Sequence, residues 1–150
     1  MDFWILYTSL AKSDLSEADL KSILEEARST NQKLEITGIL LKRNGYFIQL
    51  LEGPVSHVKK VYAKIIADKR HSNIQLLLES AAPQRIFPGW HMGFVDAANT
   101  DTDLLVSVKS AMESMGDLKE RVLSALQVFS DVGLPPTHPQ KTASSADSGR

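Results

Sequence analysis

The dipeptide Asn44-Gly45 lies between two strand-like segments and constrains the fold more than any other feature of the chain. Residues 34–43 (LEITGILLKR) and 45–54 (GYFIQLLEGP) are rich in leucine, isoleucine and aromatic side chains. Asn-Gly is a preferred pair for a two-residue hairpin turn, because both positions tolerate positive φ. The sequence therefore predicts two antiparallel neighbouring strands that are joined by a tight turn.

Strand and helix patterns alternate on both sides of this hairpin. The further predicted elements are a strand at 3–8, a helix at 16–28 with a Ser16–Asp19 capping box, a helix through 58–66, and strands at 73–80 and 91–95. The order is βαββαβ followed by one more strand, which is a ferredoxin-like α+β arrangement with two helices on one face of the sheet.

Gln49 lies in a predicted strand whose two faces are both largely apolar. In the ferredoxin-like order the first and third strands are central neighbours, so Tyr7 and Gln49 are expected side by side, under or between the two helices. A buried amide without partners costs roughly 1–3 kcal/mol. Gln49 therefore needs either a partner within the fold or a polar ligand above it.

The chain changes character after Asp96. We predict a domain at 1–96, an extension of two short helices at 97–132 that packs on it, and a disordered tail rich in proline and serine at 133–150. The apolar stripe of the extension is carried by Leu104, Leu105, Val108, Met112, Leu118, Val122, Leu126 and Phe129. This stripe could contact a partner, or it could cover the free face of the sheet.

Composition excludes several classes of partner and cofactor. The net charge of −1 gives no reason to expect nucleic acid or an anionic membrane. There is no signal peptide and no apolar run of the ~20 residues that would cross a bilayer, so we expect a cytoplasmic protein. The chain has no cysteine, and its 4 histidines lack the spacing of a metal site, so we expect no metal.

A few polar side chains remain as candidates for a site. No dinucleotide, Walker or nucleophile-elbow motif is present, and Glu25 with Glu26 is typical of a solvated helix face rather than an acid–base pair. Ordinary roles stay open for the others: Asn31 as a helix cap, Tyr7 as a core tyrosine, and Gln49 bonded to backbone. The remaining candidates are the charged run Asp68–His71 and the large side chains Trp90 and Met92.

Five segments, in order and with matching gaps, resemble the BLUF family of flavin-binding blue-light sensors. They are LYTS at 6–9, ARSTNQKLEITGILL at 27–41, GYFIQLLEGP at 45–54, YAKIIADKRH at 62–71 and RIFPGWHMGF at 85–94. The resemblance covers residues 3–96 and is specific because of the order of the segments. It implies a light-driven switch that turns over no substrate and is therefore not an enzyme.

The resemblance also implies roles for the candidate residues. In BLUF proteins a flavin, usually FAD with FMN as the alternative, lies between the two helices. Gln49 is then the switch amide, Tyr7 its hydrogen-bonded partner, and Asn31 the residue at the pyrimidine end of the ring. Met92 and Trp90 compete for the place next to the glutamine. The other residues that the resemblance brings to the cofactor are Thr30, Lys64, Asp68, Arg70 and His71.

The output that the resemblance implies runs through the last strand to the C-terminal helices. Light moves an electron and a proton from tyrosine, the glutamine rearranges, and the flavin absorption shifts slightly to the red until it resets in the dark. Too little chain follows Asp96 for a cyclase or phosphodiesterase module, so we expect a short stand-alone sensor. Its expected partners are an unknown downstream protein and a second copy of itself in a homo-oligomer.

Three departures from the family pattern concern the surroundings of the ring. Thr30 stands where many relatives have asparagine or histidine, Lys64 replaces a frequent arginine, and Glu35 replaces a small or uncharged residue. The alternative functions are a light-silent flavin- or ligand-binding ferredoxin-like module, and an interaction domain without cofactor. An absorption spectrum separates the three.

Overall fold

The computed structural model describes residues 2–100 and 103–130, which form five strands and four helices. The strands are β1 (Asp2–Ala11), β2 (Thr37–Arg43), β3 (Tyr46–Pro54), β4 (His71–Ala81) and β5 (Gly93–Asp96); the helices are α1 (Glu17–Leu34), α2 (Val55–Ala67), α3 (Leu104–Met112) and α4 (Leu118–Ser130). The sheet order is β4-β1-β3-β2-β5, antiparallel except for β5 beside β2. The predicted ferredoxin-like α+β fold is confirmed.

The predicted hairpin between β2 and β3 is also confirmed. Asn44 and Gly45 have φ angles of 54° and 80°, so both turn positions are left-handed, as the tightest hairpin turns require. β1 and β3 are adjacent in the centre of the sheet, and their register places Tyr7 directly opposite Gln49.

Helix α1 begins where the sequence predicts it and ends later. The Ser16 Oγ atom accepts from the Asp19 N–H, and the Asp19 carboxylate accepts from the Ser16 N–H, both at 3.0 Å. The predicted end near Arg28 was wrong, because the helix continues to Leu34 and closes at Glu35, a left-handed residue with φ 60°. The chain has no glycine or proline there to stop the helix, and Leu34 packs against the core.

The sheet has a separate hydrophobic core on each face. Helices α1 and α2 pack over one face, against Ile5, Leu40 and Leu51. Helices α3 and α4 pack over the other face, against Leu6 and Ile48. The sheet therefore divides the described part of the molecule into two layers of helices.

The apolar stripe of the C-terminal helices lies on the second of these faces. Leu104, Val108, Val122, Leu126 and Phe129 are buried in this core, and Met112 and Leu118 pack against it. Of the two roles that the sequence left open, the stripe takes the covering of the sheet.

The β2–β3 hairpin holds the C-terminal extension in place. Asn44 donates from its backbone N–H to Asn99 Oδ1 at 3.0 Å, and its side chain exchanges two hydrogen bonds of 2.7 Å with the Thr100 backbone. The buried Arg43 guanidinium donates to the Phe129 carbonyl oxygen at 3.1 Å, at the end of α4 where a cation is favourable. The helices are thus fixed to the turn that precedes β3.

Three further sequence predictions concern membrane spans, the C-terminal tail and the domain boundaries. No helix within 2–100 or 103–130 combines the length and the hydropathy that a membrane span needs. The predicted tail at 133–150 lies outside the described residues. The boundaries at 96 and 132 stay predictions.

Candidate functional site

A cavity of about 650 Å³ opens between α1, α2 and the central strands. Its volume is typical of sites for small organic cofactors. All eight residues that the sequence predicted around a cofactor line it: Tyr7, Thr30, Asn31, Gln49, Lys64, Asp68, Arg70 and His71. The apolar part of its wall comes from Ile23, Ala27, Leu40, Phe47, Leu51, Val61 and Ile65.

A chain of hydrogen bonds crosses the floor of the cavity. The Tyr7 hydroxyl donates to Gln49 Oε1, and Gln49 Nε2 donates to Met92 Sδ at 3.3 Å. All three side chains are at least 95% buried. Burial raises the pKa of the Tyr7 phenol, and the nearby Tyr62 and Asp68 side chains add to the rise. The phenol therefore keeps its proton and directs it at the amide oxygen.

Asn31 supplies a polar edge to the cavity from within α1. Asn31 lies inside α1 and not just past its end, and the role of C-cap, which the sequence left open for Asn31, belongs to Glu35. The Asn31 Nδ2 atom donates to the His91 carbonyl oxygen at 2.7 Å. Its Oδ1 atom is buried and has no hydrogen-bond partner among the residues that the structure describes. A donor on a bound ligand would satisfy this oxygen.

Charged side chains gather at the mouth of the cavity. Arg70 donates to the Asp68 carboxylate at 2.6 to 3.2 Å and reaches Glu26 Oε2 on α1 at 3.1 Å. The hydrogen bonds from Arg70 lower the pKa of Asp68 and outweigh its partial burial. The same pairs raise the pKa of Arg70. Arg70 thus links α1 to the turn after α2.

The sequence placed Glu26 on a solvated face and missed this ion pair. Glu26 is indeed largely exposed, but both Glu25 and Glu26 line the cavity mouth. Lys64 also lines the mouth and has no ion-pair partner within the described ranges. The 44 residues that separate Glu26 from Arg70 left no local signal of their contact.

Both ring nitrogens of His71 have hydrogen-bond partners at the cavity wall beside Tyr7. One ring nitrogen lies 2.7 Å from Ser9 Oγ, and the other lies 2.7 Å from the Ile65 carbonyl oxygen. Its ring meets the Tyr7 ring edge-on at a centroid distance of 6.3 Å. His71 therefore braces the first and fourth strands at the tyrosine.

Met92, and not Trp90, lies next to Gln49. Trp90 packs against the opposite core, with α3 and α4, and its Nε1 atom is buried without a hydrogen-bond partner in the described part of the chain. Arg28, which the sequence did not single out, donates to the Met92 carbonyl oxygen at 3.0 Å. Helix α1 therefore supports the segment that carries Met92.

These residues suit a flavin. The apolar walls match a flat ring, and the buried Asn31 Oδ1 matches the imide N–H at the polar end of that ring. The Tyr7–Gln49 pair lies at the cavity floor, where an amide can exchange hydrogen bonds with ring atoms. Lys64 and Arg70 lie at the mouth, where a phosphate-bearing tail would leave.

Comparison with known proteins points to the same class. The sequence profile of the BLUF family, sensors of blue-light using FAD, matches residues 3–93. Photoactivated adenylate cyclase subunit beta of Euglena gracilis is 36% identical over 84 residues, which cover 56% of this chain and 10% of that protein. The blue light- and temperature-regulated antirepressor BluF of Escherichia coli (strain K12) is 39% identical over 83 residues, 55% of this chain and 21% of BluF. The chain thus corresponds to a small part of these relatives.

A solved structure matches at nearly full length. The dark-state structure of the BLUF protein BlrB has a TM-score of 0.66 to this chain at 27% identity, over 87% of this chain and 96% of BlrB. That share is larger than residues 3–93 alone provide, so the likeness includes residues that follow the profile match. With the family profile covering most of the chain and all the residues of the Tyr7–Gln49–Met92 network, the chain belongs to the BLUF family of blue-light sensors.

Proposed function

We propose that this chain is a blue-light photoreceptor that binds a flavin non-covalently in the cavity and reorients Gln49 on illumination. The observation that carries the proposal is the Tyr7–Gln49–Met92 chain at the cavity floor. Membership of the BLUF family supports it. The photoactivated cyclase and the light-regulated antirepressor among its relatives support a role in light signalling.

In this proposal each part of the cavity holds one part of the cofactor. Asn31 accepts from the imide end of the ring, and Leu40, Phe47 and Val61 pack near its faces. When bound, the flavin supplies blue-light absorption and an acceptor for one electron. We infer FAD, with FMN as the alternative, because the open mouth lets the tail project into solvent.

Tyr7 acts as the donor of the electron and the proton. Its buried phenol is neutral at rest, and its hydroxyl already points at Gln49 Oε1. A phenol that loses an electron becomes a strong acid, so its proton passes along this hydrogen bond to the amide oxygen. As the electron returns to Tyr7, Oε1 gives the proton back to the phenol oxygen and the amide is released to turn, so Gln49 is again a neutral amide and no net oxidation remains.

In this proposal the changed orientation of the Gln49 amide persists after illumination. After a half-turn of the amide, Nε2 donates to the Tyr7 oxygen and Oε1 faces Met92 Sδ. A thioether cannot donate a hydrogen bond, so the Gln49–Met92 bond is lost and two electron-rich atoms face each other. This opposition destabilises the rotated form and favours the return to the dark form.

The output passes from Met92 into β5 and the extension. Arg28 and Asn31 donate to the carbonyl oxygens of Met92 and His91. A shift of Met92 therefore also changes the contacts of α1. We propose that the receiver is a downstream protein or a second copy of this chain, that the protein acts in the cytoplasm, and that it catalyses no reaction itself.

The experiment is an absorption spectrum of the purified protein in the dark, after blue light, and after dark recovery. We expect flavin bands that shift slightly to the red without bleaching and then return. Extraction of the cofactor followed by chromatography distinguishes FAD from FMN. A flavin spectrum that does not respond to light would favour the light-silent binding module, and a colourless protein that refuses added flavin would favour an interaction domain.

A further inference from the structure

Glu52 is a fully buried carboxylate that lies outside the cavity, on the opposite face of β3 from Gln49. Its two oxygens accept four hydrogen bonds. Oε1 accepts from Trp4 Nε1 at 3.1 Å and from the Ile86 N–H at 2.8 Å. Oε2 accepts from Thr37 Oγ1 at 2.9 Å and from the Phe87 N–H at 2.8 Å. Each oxygen thus joins one donor of the sheet to one donor of the β4–β5 connection, residues 82–92.

The β4–β5 connection leads directly from these anchored amides to Met92. The Trp90 N–H donates to the Phe87 carbonyl oxygen at 3.1 Å, and the Gly38 N–H donates to the Trp90 carbonyl oxygen at 2.8 Å. Met92 follows, with Sδ 3.3 Å from Gln49 Nε2. Strand β3 therefore carries both Gln49 and, three residues later, Glu52, which anchors the segment that leads to Met92.

We propose that Glu52 is a positioning residue of the switch, which fixes residues 86–87 to β3 and thereby sets where Met92 stands against Gln49. The α1 side chains Arg28 and Asn31 hold the end of the connection, and Glu52 holds its middle. The inference deepens the proposed function, on which its photocycle readout rests.

The chemistry of Glu52 suits this role better than that of a simple core residue. An apolar side chain of similar size could fill the same space, but it would leave four buried donors without an acceptor, among them two successive backbone N–H groups. Four donors that converge on one side chain from β1, β2 and the connection fix its orientation. These hydrogen bonds therefore fix the position of the β4–β5 connection relative to β3.

The variant Glu52→Gln tests the proposal with almost no change in shape. One acceptor oxygen becomes an NH2 donor, so either Trp4 and Ile86 or Thr37 and Phe87 lose their acceptor. In both orientations one bond to the connection is lost. Thr37→Val is the matched control. It removes a sheet-side bond to Glu52 and a longer bond of 3.3 Å from the Arg85 guanidinium to Thr37 Oγ1, and it leaves the Ile86 and Phe87 bonds to Glu52 intact.

Two readouts follow Met92. The first is the rate of dark recovery after blue light, which we expect Glu52→Gln to slow at least threefold, because a displaced Met92 no longer opposes the rotated amide. The second is the Met92 methyl resonance in the dark, assigned with Met92→Leu, which we expect to shift or broaden in Glu52→Gln. Thr37→Val is expected to change the recovery rate less than twofold and to leave the resonance in place.

A double-mutant cycle separates positioning from general destabilisation. In a Met92→Leu background, Glu52→Gln should change the recovery rate less than twofold, because the route through Met92 is already removed. A slowing of the same size in both backgrounds would overturn the proposal. An equal effect of Thr37→Val would overturn it as well, since loss of stability would then explain both.

Hydrogen exchange in the wild-type protein covers the case in which Glu52→Gln does not fold. We expect the Ile86 and Phe87 amide protons to exchange as slowly as those of β3, and rapid exchange would contradict the anchor. The methyl resonance and the exchange rates need no light response. If the wild type is light-silent, the proposed function fails while these two measurements still decide on Glu52.

Discussion

The Nε2 atom of Gln49 and the Sδ atom of Met92 lie 3.3 Å apart, so the amide in the central strand donates to a thioether, one of the weakest acceptors in proteins. The partner at the other end of the amide is a tyrosine hydroxyl, which can donate or accept. The two orientations of the amide therefore differ mainly in what they present to Met92. On the proposed function, this difference decides how readily the dark form is regained.

Met92→Leu should slow the dark recovery about threefold. Leucine conserves volume, so the cost in unfolding free energy should stay below about 1.5 kcal/mol. It carries no lone pair to oppose the rotated amide, and stabilising that form by about 0.7 kcal/mol slows its decay about threefold. The decay of the red-shifted absorbance measures the effect, with Met112→Leu in the other core as control. A faster recovery would contradict the orientation that we assign to the amide.

Gln49→Leu should keep flavin and lose the light-induced shift. Leucine fills the same part of the cavity floor but has no donor or acceptor to exchange between Tyr7 and Met92. Difference spectra before and after illumination test this. A normal reversible shift in this variant would refute the amide switch.

Tyr7→Phe should abolish the normal photocycle, because it removes the donor of the electron and the proton. Tyr62→Phe is the matched control, since its ring lies 5.5 Å from the Tyr7 ring without a bond to Gln49. Transient absorption after a blue flash should show a normal red-shifted product in the control and none in Tyr7→Phe. Wild-type behaviour of Tyr7→Phe would exclude Tyr7 as the donor.

Asn31→Ala should lower the affinity for riboflavin by up to about tenfold, because one hydrogen bond contributes roughly 0.5–1.5 kcal/mol net. The Oδ1 atom that loses its role is buried and lines the cavity. Gln32→Ala on the exposed side of the same helix is the control. Titration of flavin-free protein, followed by flavin fluorescence, gives both dissociation constants; equal values would rule out a contact from Asn31.

Glu26→Gln should raise the affinity for FMN relative to riboflavin, by about threefold at low salt. The mouth carries carboxylates from Glu25, Glu26 and Asp68, and Arg70 is engaged by two of them. The loss of one carboxylate charge reduces the repulsion of a phosphate and frees part of the Arg70 guanidinium. The binding of neutral riboflavin should not change. High salt should reduce the gain, because it screens exposed charges. Glu17→Gln, away from the cavity, should leave the ratio unchanged.

Asp68 should contribute to stability at neutral pH and lose that contribution in acid. Its hydrogen bonds from Arg70 hold its folded-state pKa below the ordinary value of about 4. A lowered folded-state pKa stabilises the fold above the unfolded-state pKa, and the contribution disappears as pH falls through the lowered value. Urea unfolding should therefore show Asp68→Asn less stable than wild type near pH 7, with the gap narrowing below about pH 4. A gap that is independent of pH would contradict this assignment.

The sequence predicted the central pair because two local signals determine it. The Asn44-Gly45 turn fixes β2 against β3, and the order of elements, βαββαβ, predicts a ferredoxin-like topology in which β1 is the other neighbour of β3. This topology predicts Tyr7 and Gln49 on adjacent strands, and the register that places them directly opposite each other comes from the structure. The Ser16 capping box likewise marked the start of α1 from neighbouring residues alone.

The parts that the sequence did not predict depend on contacts between distant segments. The end of α1 rests on a left-handed glutamate, a residue that gives no stop signal of its own. The choice of Met92 over Trp90 depends on the core to which each side chain belongs: Met92 is in the core beneath α1 and α2, and Trp90 packs against the other. The Glu52 contacts require the path of the β4–β5 connection, which has no regular structure to read in advance.

The division of the core by the sheet bears on how a newly made chain acquires its cofactor. The buried residues beneath α3 and α4, such as Trp4, Ile48 and Phe129, lie outside the cavity lining. The packing of these residues therefore does not depend on a bound ligand, and it supports the strands that carry Tyr7 and Gln49. We therefore expect the flavin-free chain to have a preformed cavity, which a flavin enters in a binding step without further folding. On the proposed function, we expect the number of light-responsive molecules to follow the supply of flavin.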